Sequence, residues 1–90
     1  MGLELVEIIM ALEERFDVSI PDKVAEHCIT VEDLQKAIAE LLASKRKCNV
    51  DDLLPEVWQG MVQVVVEQMG MKPADIKPES KWVGDITQYG

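Results

Sequence analysis

Ninety residues make one small domain, 48% hydrophobic but only 4% aromatic, so its core has to be aliphatic. Seventeen acids against nine bases give a net charge of −8, which repels phosphate backbones, argues against nucleic-acid binding and makes a basic surface the natural partner. No apolar run nears the roughly 18–20 residues that span a bilayer, and the acidic N-terminus lacks the signs of a signal peptide or of myristoylation (Val6 stands where Ser or Thr is needed), so a cytoplasmic protein with no membrane partner is expected.

The first helix is expected from Gly2 or Leu3 to about Phe16. Leu5, Ile8, Ile9, Leu12 and Phe16 form its buried stripe. Glu4, Glu7, Glu13, Glu14 and Asp17 lie on the other side, around Val6 and Met10. Pro21 ends this unit by biasing Ile20 out of the helical region, and Asp22 is expected to cap a short helix through about Glu26. A third helix opens on a capping box, Thr30 with Asp33. Val31, Leu34, Ala37, Ile38, Leu41 and Leu42 give it an apolar face that fades near Ser44.

Residues 45–50 break the periodicity and concentrate positive charge, which reads as a linker. Asp51-Asp52 offers the next cap, with Pro55 acceptable in an opening turn. Val57, Trp58, Met61, Val62, Val64, Val65, Val66 and Met69 then follow helical spacing to a stop at Gly70. From Met71 a long loop is expected, anchored by Ile76, Trp82, Val83 and Ile86. The fold class is all-α: a four-helix bundle in a single domain, with the helix around Met61–Met69 antiparallel to that around Leu3–Phe16.

Little in this chain suggests catalysis, and no catalytic residue is assigned. His27 is the only histidine and has no recognisable nucleophile beside it. Cys28 and Cys48 lack metal-ligand spacing and read as free thiols; no calcium-loop spacing occurs either, so no metal is expected. Trp58 and Trp82 read as core anchors.

Leu3, Val6 and Glu7, followed by Ile20-Pro21-Asp22 and Thr30-Val31-Glu32-Asp33-Leu34, resemble the recognition helix and following segments of acyl carrier proteins. A second stretch resembles the opening of the same family: Val64 to Met71, Ala74-Asp75-Ile76, and Pro78 to Ile86. In that family the opening helix and long loop come first; here they come last. The resemblance implies a circularly permuted carrier bundle: residues 1–44 the recognition, short and final helices, 45–50 the linker, 51–90 the opening helix and loop.

Carriers hold 4'-phosphopantetheine on a serine at the start of the recognition helix. By the Val6-Glu7 register that position falls on Gly2; counted from Asp85 it falls on Gly90. Neither has a hydroxyl, so no cofactor is expected on the chain as written, and 4'-phosphopantetheine only if the site is restored or lies elsewhere. Ser80 is expected in a local turn, and Thr87 close by in space, though threonine is not the family's acceptor.

The resemblance implies a module of fatty-acid, polyketide or related acyl metabolism. It would dock on basic enzyme surfaces through Glu4, Val6, Glu7, Met10, Glu13 and Glu14, although Arg15 departs from the acidic pattern. The alternative is a carrier-like interaction protein that stays unmodified because Gly2 replaces the serine. A bundle completed by exchange between chains is a third possibility, with the monomer preferred.

Overall fold

The computed structural model describes residues 3–87, with side chains from Leu5 onward. Helix α1 spans Leu3–Phe16, α2 Asp22–His27, α3 Val31–Arg46 and α4 Val50–Met69, followed by one 3-10 turn at Pro73–Asp75. Among the described residues there is no strand, only isolated bridges at Thr30–Lys81 and Val83–Thr87. The architecture is all-α, four helices around one aliphatic core.

All five residues of the α1 stripe are buried, packed with Val31, Leu34, Ile38 and Leu42 of α3 and Val57, Met61, Val64 and Val65 of α4. On α3, Ala39 and Ala43 are buried, while Ala37 and Leu41 are only partly so. Methyl side chains at those two positions suit a close helix–helix approach. At Gly60 an added Cβ would collide with the Phe16 ring and lie 2.9 Å from Arg15 Nε. Glycine there lets the end of α1 cross α4.

Contacts at the helix ends fix the directions. Lys45 Nζ, in the last turn of α3, reaches the Asp17 carboxylate at 2.7 Å, just past the end of α1. At the other end, Val31 N–H donates to Ser80 O at 2.9 Å, while Leu5 shares a cleft with Trp82 and Val83. Thus α1 and α3 run parallel. The three-residue turn Lys47–Asn49 sends α4 back antiparallel to both.

At three helix ends the structure departs from the sequence expectation. The linker is not 45–50: α3 continues to Arg46, because Lys45 and Arg46 at its C-terminal end complement the helix dipole and meet Asp17 and Glu56, the latter at 2.8 Å. Asp22 does not cap α2; Pro21 holds that position, its carbonyl accepting from Val24 and Ala25 N–H at 3.0 Å. Likewise α4 opens one residue before the expected Asp51-Asp52 cap, with Asn49 as N-cap and Pro55 sixth in the helix. Asp51 and Pro55 are both exposed, so the carbonyl that loses its donor to proline lies on the solvent side.

The tail anchors through Ile76, Trp82 and Ile86, at 4%, 1% and 4% exposure. Val83 does not anchor: it is 50% exposed. Lys81 O accepts from Asp85 and Ile86 N–H and Trp82 O from Thr87 N–H, and in this turn Trp82 is buried while its neighbours Lys81 and Val83 are exposed.

Candidate functional site

The outer face of α1 is built from the residues its apolar stripe leaves over. Glu7 and Glu14 are exposed, and Met10 between them is 60% exposed, one of the most open large apolar side chains among the described residues. Val6 is half-buried beside them. Glu13 differs in kind. It is partly buried and its carboxylate accepts the Ile20 backbone N–H at 2.8 Å, tying down the chain as it leaves α1. Asp17, in the left-handed region at φ 53°, ends the helix and is held below the usual carboxylate range by its hydrogen bond and charge contact with Lys45. Of the expected docking residues, the structure therefore brings Val6, Glu7, Met10 and Glu14 together on one open face and gives Glu13 a bond within the fold. The Glu4 side chain and all of Gly2 and Gly90 lie outside the described residues.

At the start of α1 a mostly apolar cleft of about 240 Å³ opens between α1, the end of α2 and the tail. Leu5, Ala25, Cys28, Ile29, Trp82 and Val83 line it, with Glu26 and Lys81 as its charged members. Ile29 is 63% exposed, which with Val83 leaves an apolar margin facing solvent. Cys28 is half-buried; its Sγ lies 3.1 Å from Val24 O, and burial, then the charge of Asp33, push the thiol pKa up. That is a poor setting for a nucleophile. Cys48 is exposed, as its place in a turn suggests.

Hydroxyl groups near this end are engaged. Ser80 is buried, and its Oγ accepts Lys77 N–H at 3.1 Å in a local turn. Thr87 is fully buried and its Oγ1 donates to Trp82 O at 2.8 Å. His27 is exposed, with Nδ1 2.6 Å from Lys23 O. Among the described residues no cluster of His, Cys, Asp and Glu is placed to hold a metal, and no helix is long and apolar enough to cross a membrane.

A helix start is an anion site only where its N–H groups are free, and those of α3 are taken. Thr30 N–H donates to Asp33 Oδ2 at 3.1 Å and Asp33 N–H to Thr30 Oγ1 at 3.2 Å. Val31 and Glu32 N–H donate to Ser80 O and Pro78 O at 2.9 and 3.0 Å. The capping box was legible in sequence; the two tail carbonyls were not, because nothing in composition marks a carbonyl that will meet a helix nearly fifty residues away. The Thr30 backbone bond holds the Asp33 carboxyl below its usual range; burial opposes it, and the Ile29 backbone bond, the Thr30 hydroxyl and the charge of Lys36 add smaller effects in the same downward direction. A depressed folded pKa contributes stability that is fully present above the unfolded value of about 3.9 and is lost as pH falls through the lower folded value. Asp33→Asn is expected to flatten that acid limb in thermal melts below about pH 4, and Thr30→Ala to cost about 1 kcal/mol at pH 7.

The geometry defines a small acidic helical module: an open acid-and-methionine face on α1, with an apolar cleft at the start of that helix. Over 43 residues the chain is 52% identical to the acyl carrier protein of Phenylobacterium zucineum, covering 48% of this chain and 54% of that one. Against the acyl carrier protein of Caulobacter vibrioides it is 54% identical over 42 residues, 47% of this chain and 54% of that one. For that of Campylobacter lari the values are 51% over 40 residues, 44% and 52%. The chain spans about half the length of the curated relatives it matches. Similarity at this level supports the acyl carrier family over under half of the chain. No family model and no solved structure matches it.

Proposed function

We propose that this chain is an acyl-carrier-like docking module of fatty-acid, polyketide or related acyl metabolism, not an enzyme, presenting the α1 face to basic surfaces of partner enzymes in the cytoplasm. The observation that carries this is the face itself: Met10 open to solvent between exposed Glu7 and Glu14, on a chain about half similar to acyl carrier proteins. The bundle closes within one chain, without exchange between copies. Its permuted order is supported by the cleft that Leu5 shares with Trp82 and Val83, which sets the start of α1 beside the tail that would precede it in the usual order.

Reversing Glu7 and Glu14 to lysine should slow association with a basic partner enzyme and remove its sensitivity to salt. Stability should barely change, since exposed charges contribute at most about 1 kcal/mol each. Glu13 is left alone because it holds Ile20. Binding that is unaffected at low salt would make the face merely solvated.

A second reading follows from Gly2. Attachment of a phosphopantetheine arm forms a phosphodiester and so requires a hydroxyl at the start of α1, and glycine has none. Ser80 and Thr87 are buried and bonded. The residues of this chain therefore do not fit the group, and the module docks without carrying. Intact mass after incubation with a broad-specificity phosphopantetheinyl transferase and coenzyme A tests this. The wild-type mass should not change, whereas Gly2→Ser, with a short acidic N-terminal extension, should gain the arm. Pantetheine on the wild-type chain would overturn the non-carrying reading and leave the docking face standing.

A further inference from the structure

Arg15 is the single base of α1 and is exposed. A base anywhere in the last turn suits the helix dipole, but the side on which this one stands is more particular. At 100° per residue, Met10 lies on one side of the line from Glu7 to Glu14 and Arg15 on the other. Arg15 Nε lies against α4, where a Cβ added at Gly60 would be 2.9 Å from it. The residues one turn back on α1 are Ala11 and Leu12, which offer no carboxylate at the spacings that pair. Glu56 of α4 is held by Arg46 at 2.8 Å. Among the described residues Arg15 therefore has no ion pair. The acids divide too: Glu13 binds Ile20 N–H and Asp17 binds Lys45, which leaves Glu7 and Glu14 as the uncommitted acids of the described face.

We infer that Arg15 selects the partner on this face, an inference that rests on α1 being the docking surface. The surface that fits presents lysine or arginine to Glu7 and Glu14, an aliphatic side chain to Met10, and one carboxylate on the α4 side to meet Arg15. An unpaired positive charge at that edge favours the carboxylate and repels a base put in its place. A partner that is basic right across is thereby disfavoured. One residue thus divides basic surfaces that Glu7 and Glu14 alone would accept equally. Exposed pairs are weak, so the preference should be on the order of threefold to tenfold at low salt and fade as salt screens it.

Two synthetic amphipathic helical peptides of the same composition test this. Both carry lysines and a leucine on the docking side. In one, glutamate sits at a single edge of that side and a further lysine on the outer side; in the other those two residues are exchanged. Net charge is then equal, and backbone-amide shift titrations on the full chain at low salt give both affinity and place of binding. The wild type should bind the glutamate-edged peptide more tightly, with shifts centred on Met10 and reaching Gly60. Arg15→Glu should reverse the order, and Arg15→Lys, which keeps the charge, should preserve it. A base that served only the helix dipole would leave the order untouched. Equal affinities, a wild-type preference for the lysine-edged peptide, or an order that Arg15→Glu does not change overturns the role of Arg15 and leaves the docking face standing. Absence of binding to both peptides, or binding that Glu7→Lys/Glu14→Lys leaves unchanged, overturns the docking reading and this inference with it.

Discussion

Trp82→Ala should leave the chain largely unfolded at 37 °C. The side chain is 1% exposed and is among the largest in the core, so truncating it costs about 3–5 kcal/mol. A chain of this size holds on the order of 5–13 kcal/mol in all. The loss reaches beyond one cavity, because Trp82 N–H donates to Ile29 O at 3.0 Å and the neighbouring Ser80 carbonyl caps α3. Trp82→Phe is the control. The indole Nε1 is buried without a hydrogen-bond partner among the described residues, so replacing it by an apolar ring removes an unpaired donor along with some area. Urea unfolding should show a cost of about 1 kcal/mol for phenylalanine, against several for alanine. Equal costs would mean that the indole nitrogen, rather than the ring, is what the fold uses.

Gly60→Leu should be nearly as damaging. Even a Cβ at this position runs into the Phe16 ring, which is itself only 8% exposed and has little room to move. Overpacking costs about 1–3 kcal/mol for small insertions, and a full leucine should exceed that range. Gly60→Ala is the milder test, since the gain of about 1 kcal/mol in helix propensity offsets part of the clash. Combining it with Phe16→Leu should relieve the clash and give a coupling of about 0.5–3 kcal/mol in a double-mutant cycle. Simple additivity would mean that α1 and α4 do not meet through this pair.

What the sequence disclosed was local. The α1 stripe, the Thr30–Asp33 box and the Gly70 stop depend on residues within one or two turns of each other, and the structure has all three. The end of α3 was misjudged at Ser44 because its apolar period stops there, while the ion pairs that favour its last turn come from 28 and 10 residues away. Glu13 read as one surface acid among several, since a carboxylate that will bind an N–H seven residues on has no signature in composition. Val83 reads as an anchor on hydrophobicity alone, whereas the turn that buries Trp82 leaves Val83 half exposed, which depends on hydrogen bonds among Lys81, Trp82, Asp85, Ile86 and Thr87. The site shows the same division: Met10 and Glu7 could be read from helical spacing, but the cleft needed three separate segments to be brought together.

The carbonyls that cap α3 also set the order in which the molecule assembles. Helices α3 and α4 are joined by a three-residue turn and can pair as soon as they form. By contrast, the bonds from Val31 to Ser80 and from Glu32 to Pro78 close a loop of about fifty residues, at an entropic cost of roughly 3.5 kcal/mol. Contacts so distant in sequence form late. Substitutions at Ile76 or Ile86 will then speed unfolding while leaving the folding rate nearly untouched. The tail therefore acts as the latch that sets how long the native state lasts.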